Sequence, residues 1–183
     1  MDSIALMVEE HKNVKRMLAV IRKYCNKILK GEPVRYEDFY DIIDFVRSYT
    51  DRHHHGKEES MLFERMMEEM GSAAEKLIRY GMNVEHDFGR LYMQDLEQAV
   101  DRFMVGDEEA KLDIIANAVS YTNLLYRHIE KEDNVVYKFA QRGLSKETLK
   151  ELDEQCEKYE LEQRKQGIQA KYLKLLEKLE AKI

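Results

Sequence analysis

The chain has 183 residues, of which 44% are hydrophobic and 36% are charged, with one proline and eight glycines. This balance predicts a single domain of amphipathic helices and disfavours sheet folds, which are rich in turns. The formal net charge of -6 and the lack of a long basic run argue against nucleic acid or an anionic membrane as a partner. No segment reaches the roughly 20 apolar residues that span a bilayer, so a soluble, cytoplasmic protein is expected.

Apolar residues recur every three or four positions through four long segments, which is typical of helices that bury one face. Turn residues separate the segments, beginning with Gly31 and Pro33 after the first. The predicted helices span about residues 4–30, 36–69, 72–105 and 108–141. Because such short connections place neighbouring helices antiparallel, the pattern predicts an all-α, up-down-up-down four-helix bundle.

A charged, helical pattern follows Ser145, a favourable N-cap residue, and breaks near Gly167. We therefore divide the chain into a bundle domain, residues 1–143, and a C-terminal extension, residues 144–183, of one or two additional helices. The apolar stripes of the extension must be buried against another surface. The extension is expected to pack on the bundle or on a partner subunit, and the second arrangement would give a homodimer through these helices.

The two cysteines, Cys25 and Cys156, lie far apart and in no metal-binding spacing. The sequence therefore predicts neither a disulfide framework nor a cysteine zinc site. Both thiols are expected to be buried and inert.

The bundle segment contains an internal repeat. Residues 54–63 read HHGKEESMLF and residues 128–137 read HIEKEDNVVY, with His, Lys and Glu shared at the first, fourth and fifth places. A lone histidine precedes each copy, His11 in EEH and His86 in VEH, at intervals of 43 and 42 residues. The segment thus consists of two copies of one helical hairpin.

The repeated His-x-x-x-Glu spacing predicts a metal site. Residues four apart lie on the same face of a helix, so each copy offers one imidazole and one carboxylate to the bundle interior. Burying such groups unpaired would cost several kcal/mol each, and metal ions remove that cost. One metal would be bound by two histidines of the first hairpin and the other by two of the second, with two shared, bridging glutamates. The predicted ligands are His11, His54, Glu58, His86, His128 and Glu132.

His53 and His55 are the remaining histidines, and we interpret them as solvated groups or as groups that orient a ligand. His55 and Glu59 also have the four-residue spacing, so they form the alternative ligand pair. The repeat disfavours this alternative, because His55 aligns with Ile129 and Glu59 aligns with Asp133.

Imidazole and carboxylate ligands without thiolate suit iron, zinc, copper or nickel, and several nitrogens combined with bridging carboxylates favour iron. We predict two iron ions joined by an oxo or hydroxo bridge. With about five ligands each, the two ions would leave room for a small molecule such as dioxygen, nitric oxide or peroxide. A ferritin-like di-iron site is excluded, because no histidine follows a glutamate by three residues.

The chain contains four motifs in this order: His11, HHGKEE followed by MLF, EHDFGR and HIEKEDNVVY. Their order and spacing resemble the hemerythrin-like, or HHE cation-binding, domain over about residues 4–141. The resemblance implies a four-helix bundle with a non-haem di-iron centre and the six ligands named above. Oxygen-carrying hemerythrins have a second histidine on the third helix, whereas Met82 and Arg90 flank His86 at that spacing here. The ligand set is instead similar to that of bacterial proteins proposed to repair iron centres.

Two functions are compatible with such a centre. The first is a binding protein that senses or sequesters dioxygen, nitric oxide or iron. The second is a di-iron enzyme that reduces peroxide or nitric oxide, or that delivers iron to damaged clusters. The sequence offers no dedicated electron-entry motif, which favours the binding protein. A metal-free helical interaction module is a third alternative, which absence of metal from the purified protein would favour.

Overall fold

The computed structural model describes residues 1–183, which form six helices and no strand. Helix α1 is Ser3–Leu29. Helix α2 runs without interruption through Tyr36–Phe45, the π-helical Val46–His55 and Glu58–Phe63, and Glu64–Glu69. Helix α3 comprises Gly71–Leu77, the π-helical Ile78–Met82 and Asn83–Met104. Helix α4 comprises Ala110–Lys131, the π-helical Glu132–Val136 and Tyr137–Gly143, and is followed by α5, Lys146–Lys165, and α6, Ile168–Glu180.

The all-α class is confirmed, and local signals explain where the helices begin and end. Asp2 caps α1 by accepting a hydrogen bond from the amide of Ala5 at 2.9 Å, and Ser145 caps α5 in the same way. Gly167 has a φ of 72° in the turn between α5 and α6, a conformation that glycine adopts without strain. None of the helices combines the length and the apolar composition that crossing a bilayer requires.

Two apolar clusters fill the interior, and the histidines lie between them. On α1, Met7 belongs to the smaller cluster and Val14 to the larger one, and His11 is buried between these two residues. Each of the helices α2, α3 and α4 also contributes to both clusters, with its buried polar residues between the two. The smaller cluster comes first along α3, and the larger cluster comes first along α2 and α4. The polar residues of all four helices therefore meet in one buried layer.

Helices α5 and α6 pack against α1 and α2 of the four longer helices. Leu152 and Cys156 of α5 belong to the smaller apolar cluster, and Tyr172 and Leu176 of α6 belong to the larger one. The C-terminal extension thus buries its apolar stripe within its own chain. As a result, α2 is covered on a side that a four-helix bundle alone would leave open to solvent.

Both cysteines are free and buried, as the sequence predicts. Burial raises the pKa of the Cys25 thiol to about 11, and burial also raises the pKa of Cys156. Both thiols therefore stay protonated at neutral pH, which makes them poor nucleophiles and poor metal ligands.

Candidate metal centre

The first half of the centre is an imidazole pair from α1 and α2. The Nε2 atoms of His11 and His54 lie 2.9 Å apart, and both side chains are buried. Glu132 places Oε2 at 3.3 Å from Nε2 of His11, and Glu58 places Oε1 at 3.7 Å from Nε2 of His54. Two imidazole nitrogens and two carboxylate oxygens therefore face one point, and these four side chains form one of the groups that could hold a metal ion.

The second half is an imidazole pair from α3 and α4. The Nε2 atoms of His86 and His128 lie 3.0 Å apart. Glu132 places Oε1 at 3.0 Å from Nε2 of His128, and Glu58 places Oε2 at 3.6 Å from Nε2 of His86. Each glutamate thus directs one oxygen to each imidazole pair, so the structure brings together all six of the residues that the sequence predicts as ligands.

A carboxylate lies behind each of the four imidazoles. Nδ1 of each ring lies 2.6–2.8 Å from its carboxylate oxygen. The pairs are His11 with Asp133, His54 with Glu10, His86 with Glu59, and His128 with Glu85. An ionised carboxylate only accepts hydrogen bonds, so Nδ1 carries the proton and Nε2 presents its lone pair to the interior. This arrangement is typical of metal-binding histidines.

The interior of the centre is short of hydrogen-bond donors. With both Nδ1 atoms protonated, the two lone pairs of a 2.9 Å Nε2–Nε2 contact repel unless a proton or a cation lies between them. Both oxygens of Glu132 and Oε2 of Glu58 are buried without a hydrogen-bond partner. Unpaired buried carboxylate oxygens are costly, and cations between the nitrogens and oxygens would satisfy every one of these atoms.

The pKa values describe how protons substitute for cations in this layer. Burial lowers the pKa of His11, but its hydrogen bond to Asp133 and the nearby charge of Glu132 outweigh burial and raise it to about 9. Burial also lowers the pKa of His128, but the negative charge of Glu132 outweighs burial and raises it to about 10. Burial and the neighbouring charge of Glu132 raise the pKa of Glu58 to about 8, whereas burial lowers that of His54 to about 4. In the metal-free protein, both imidazole pairs therefore contain a protonated ring at neutral pH, His11 in the first pair and His128 in the second.

We expect the metal-free protein to lose stability as the pH rises from 6.5 to 9. His11 has a folded-state pKa of about 9 against 6.5 for the free side chain, so its contribution is complete below pH 6.5 and is lost as the pH rises through 9. Glu58, raised from 4.5 to about 8, acts in the same direction, and His54 does not oppose it because its transition lies between 4 and 6.5. Metal affinity should rise over the same range, because cations compete with these protons. Urea unfolding with and without Zn²⁺ at several pH values measures both trends, and a metal-free stability that increases toward pH 9 would contradict them.

His53 and His55 are both buried, so the interpretation of these residues as solvated groups is wrong. His53 lies under α5, where its ring stacks on Tyr159 at 5.5 Å between centroids and Nε2 lies 3.1 Å from Glu10. His55 faces α3 on the other side of α2. The three consecutive histidines point in three directions. Helix α5 covers His53, α1 covers His54 and α3 covers His55.

The aromatic neighbours of the centre differ between its halves. Tyr137 stacks on His11 at 5.7 Å between centroids, and its hydroxyl donates a hydrogen bond to Glu58. Phe63, its counterpart in the repeat, stacks on His86 at 6.0 Å and carries no hydroxyl. A tyrosine thus contacts a predicted ligand in one half only.

The family comparison identifies the origin of this architecture. Residues 2–140 match the family model described as the hemerythrin HHE cation binding domain. The chain belongs to the hemerythrin family. No curated protein and no solved structure matches the chain. Cation binding is thus the property that this hemerythrin domain shares with its family, and the buried His and Glu clusters fit a metal site.

The four carboxylates behind the imidazoles of this hemerythrin domain were missed as site residues. The repeat contained a signal for them, since Glu10 and Glu85 directly precede the lone histidines, and Glu59 aligns with Asp133. Their positions at matched places in both hairpins follow from the same symmetry as the ligands.

Proposed function

We propose that this chain is a non-haem di-iron protein that binds or senses a small ligand such as dioxygen or nitric oxide, or iron itself. The proposed ligands are His11 and His54 for one ion, His86 and His128 for the other, and Glu58 and Glu132 as bridges. The observation that supports this most strongly is that each glutamate directs its two oxygens to different imidazole pairs. Bound iron would supply a coordination position for the small ligand and the capacity to change oxidation state.

The choice of iron rests on the chemistry of the donors. Four imidazoles and two carboxylates suit a borderline metal, whereas magnesium and calcium prefer oxygen alone. Neither cysteine belongs to any of the groups that could hold a metal. The donor set also fits zinc, and metal analysis of the purified protein distinguishes the two metals.

We include in this proposal the up-down-up-down arrangement of the four long helices. On α1 and α4, His11 pairs with Asp133 while Arg22 contacts Asn123, so the contacts run in opposite sequence directions. That is the order expected of antiparallel neighbours, and it supports two hairpins related by a pseudo-twofold axis.

A cavity gives a small ligand a route to one half of the centre. It has a volume of about 450 Å³, and His55 and His86 line its inner end. Arg52, which is exposed and has no ion-pair partner, lines this cavity, whereas Arg90 and Asp51 in the same wall pair with each other at 2.8 Å. An anion such as azide should therefore be drawn into this cavity.

We expect azide and nitric oxide to change the optical spectrum of the iron-loaded protein in a saturable manner. A titration followed by absorption measures this, with His54→Ala as the metal-depleted control. A loaded protein whose spectrum stays unchanged under excess azide and nitric oxide would contradict a ligand-binding function, although it would leave the metal centre in place.

The hydroxyl of Tyr137 favours a second candidate, a di-iron enzyme that reduces peroxide or nitric oxide. This O–H donates to Glu58 in the buried layer, so it places a hydrogen-bond donor beside the centre. The two candidates differ in turnover. Peroxide consumed repeatedly in the presence of a reductant indicates the enzyme, whereas a stable adduct indicates the binding protein.

A further inference from the structure

We propose that His55 is a third imidazole ligand of the ion bound by His86 and His128, so that the two positions of the centre are unequal. This inference rests on the proposed metal centre. One position would have three imidazoles, and the other would have two.

The position of the His55 ring is the first argument. The ring stacks face to face on His86, with 3.9 Å between centroids and 5° between planes, and it lies 5.7 Å from the ring of His128. One donor atom from each of His55, Glu58, His86 and His128 lies within 4.8 Å of the other three. Because the lone pair of an imidazole nitrogen lies in the plane of its ring, the His55 ring would rotate out of the parallel stack to share one cation with His86 and His128.

The hydrogen-bonding environment of His55 is the second argument. Its Nδ1 is buried without a hydrogen-bond partner, and the nearest carboxylate oxygen is Oδ1 of Asp51 at 3.5 Å. A carboxylate therefore faces Nδ1 of His55, as it does in the four other rings, and leaves Nε2 free as a donor to a cation.

His53 provides the contrast within the same three residues. Its Nε2 lies 3.1 Å from Glu10 and 3.5 Å from the ammonium of Lys57. The ammonium fills the space that a cation would need, so His53 takes part in an ion-pair cluster rather than in the centre. Burial alone thus does not distinguish the two residues, but their partners do.

The backbone of α2 explains how adjacent residues reach different halves of the centre. His54 and His55 end the π-helical stretch Val46–His55, in which each turn holds an extra residue. His54 faces α1 and His55 faces α3. The second hairpin has Ile129 at the matching place, so the third imidazole has no counterpart in the other half.

The cavity described above permits a test by chemical rescue. Because His55 lines a space of about 450 Å³ that opens to the surface, replacing it with glycine should let free imidazole occupy the vacated volume. We would titrate metal-free protein with Co²⁺, whose absorption spectrum reports the ligands, and compare His55→Gly with His53→Gly. Both variants carry the same helix cost of glycine, about 1 kcal/mol, so that cost cancels in the comparison.

The wild type is expected to bind two Co²⁺ ions, and His55→Gly is expected to bind one of them about 10-fold or more weakly. Added imidazole should restore that affinity in His55→Gly and have no effect in His53→Gly. His55→Phe keeps a stacked ring without a donor nitrogen, so it should show the same loss without rescue, and it decides the question if the glycine variant does not fold.

Two unchanged Co²⁺ affinities in both His55 variants would overturn this inference and leave the centre of six ligands standing. Failure of the wild type to bind Co²⁺ would instead overturn the proposed metal centre itself. The two failures are therefore distinguishable in one series of titrations.

Discussion

Replacing Glu132 with alanine is expected to remove at least one of the two proposed metal ions and so to abolish the coupling between them. Glu132 places Oε2 at 3.3 Å from His11 and Oε1 at 3.0 Å from His128, so it contacts both imidazole pairs. Without it, two cations in close approach would have about half of the bridging charge, and their mutual repulsion would favour loss of one. Glu58→Ala should act similarly, because Glu58 also faces both pairs. Iron per chain with Mössbauer or EPR spectra measures these effects.

The glutamine variants separate charge from shape. Glu132→Gln keeps the volume of the side chain but removes its charge, so it should be nearly as damaging as alanine. Glu130→Ala, an exposed substitution on the same helix, should leave the metal content unchanged. A coupled two-iron signal that persists in both Glu58→Ala and Glu132→Ala would disprove the bridging assignment.

Replacing Lys57 with alanine is expected to destabilise the fold by about 3–5 kcal/mol. Lys57 is fully buried, its ammonium pairs with Glu10, and it lies 2.5 Å from Oε1 of Glu160 on α5. Removing the ammonium leaves two buried carboxylates facing each other without a counter-charge. The substitution should also weaken the hold of α5 on α2, because Glu160 is the α5 partner in this pair. Urea unfolding of the metal-free variant measures the change in the free energy of unfolding.

Lys150→Ala provides the matched control for Lys57→Ala. Lys150 has an exposed side chain and lies 3.6 Å from exposed Glu154, a surface pair that contributes less than about 1 kcal/mol. Equal losses of stability in the two variants would show that the buried cluster does not stabilise the contact between α2 and α5.

The fold was predictable because its signals are local. Apolar periodicity and turn residues placed the four long helices within two residues of their observed ends, as in α1, predicted at 4–30 and observed at Ser3–Leu29. The repeat also predicted that the six proposed ligands meet, since two matched hairpins bring matched residues to one layer. The His-x-x-x-Glu spacing also survives in the structure, although Glu58 and Glu132 lie in π-helical turns.

The roles of His53 and His55 were not predictable in the same way. Three consecutive helical residues span about 200° of a helix surface, so they cannot all face one core. They are all buried because α5 covers His53 and α3 covers His55, and neither contact follows from the pattern of α2 itself. The π-helical turns add to the difficulty, because an extra residue in a turn changes which face a side chain occupies without a distinct sequence signal.

The position of Tyr137 beside the centre was also not predictable from the sequence. Tyr121 lies two turns before His128 on the same stripe, so by sequence it is the first candidate for a further protein ligand that would close the site. The structure instead places it in the wall of the cavity, against Gly89, while Tyr137 contacts His11 and Glu58. Tyr137 aligns with Phe63 in the repeat, so the repeat does not indicate that a tyrosine hydroxyl lies beside the centre.

The most direct test of a two-cation centre is an anomalous difference map from crystals of the protein loaded with Fe²⁺ and measured at the iron edge. We predict two peaks in the buried layer, one between Nε2 of His11 and His54 and one between Nε2 of His86 and His128, with Glu58 and Glu132 between them. A single peak, or a peak at the cluster of Glu10, His53 and Glu160 in place of these two, would contradict this account.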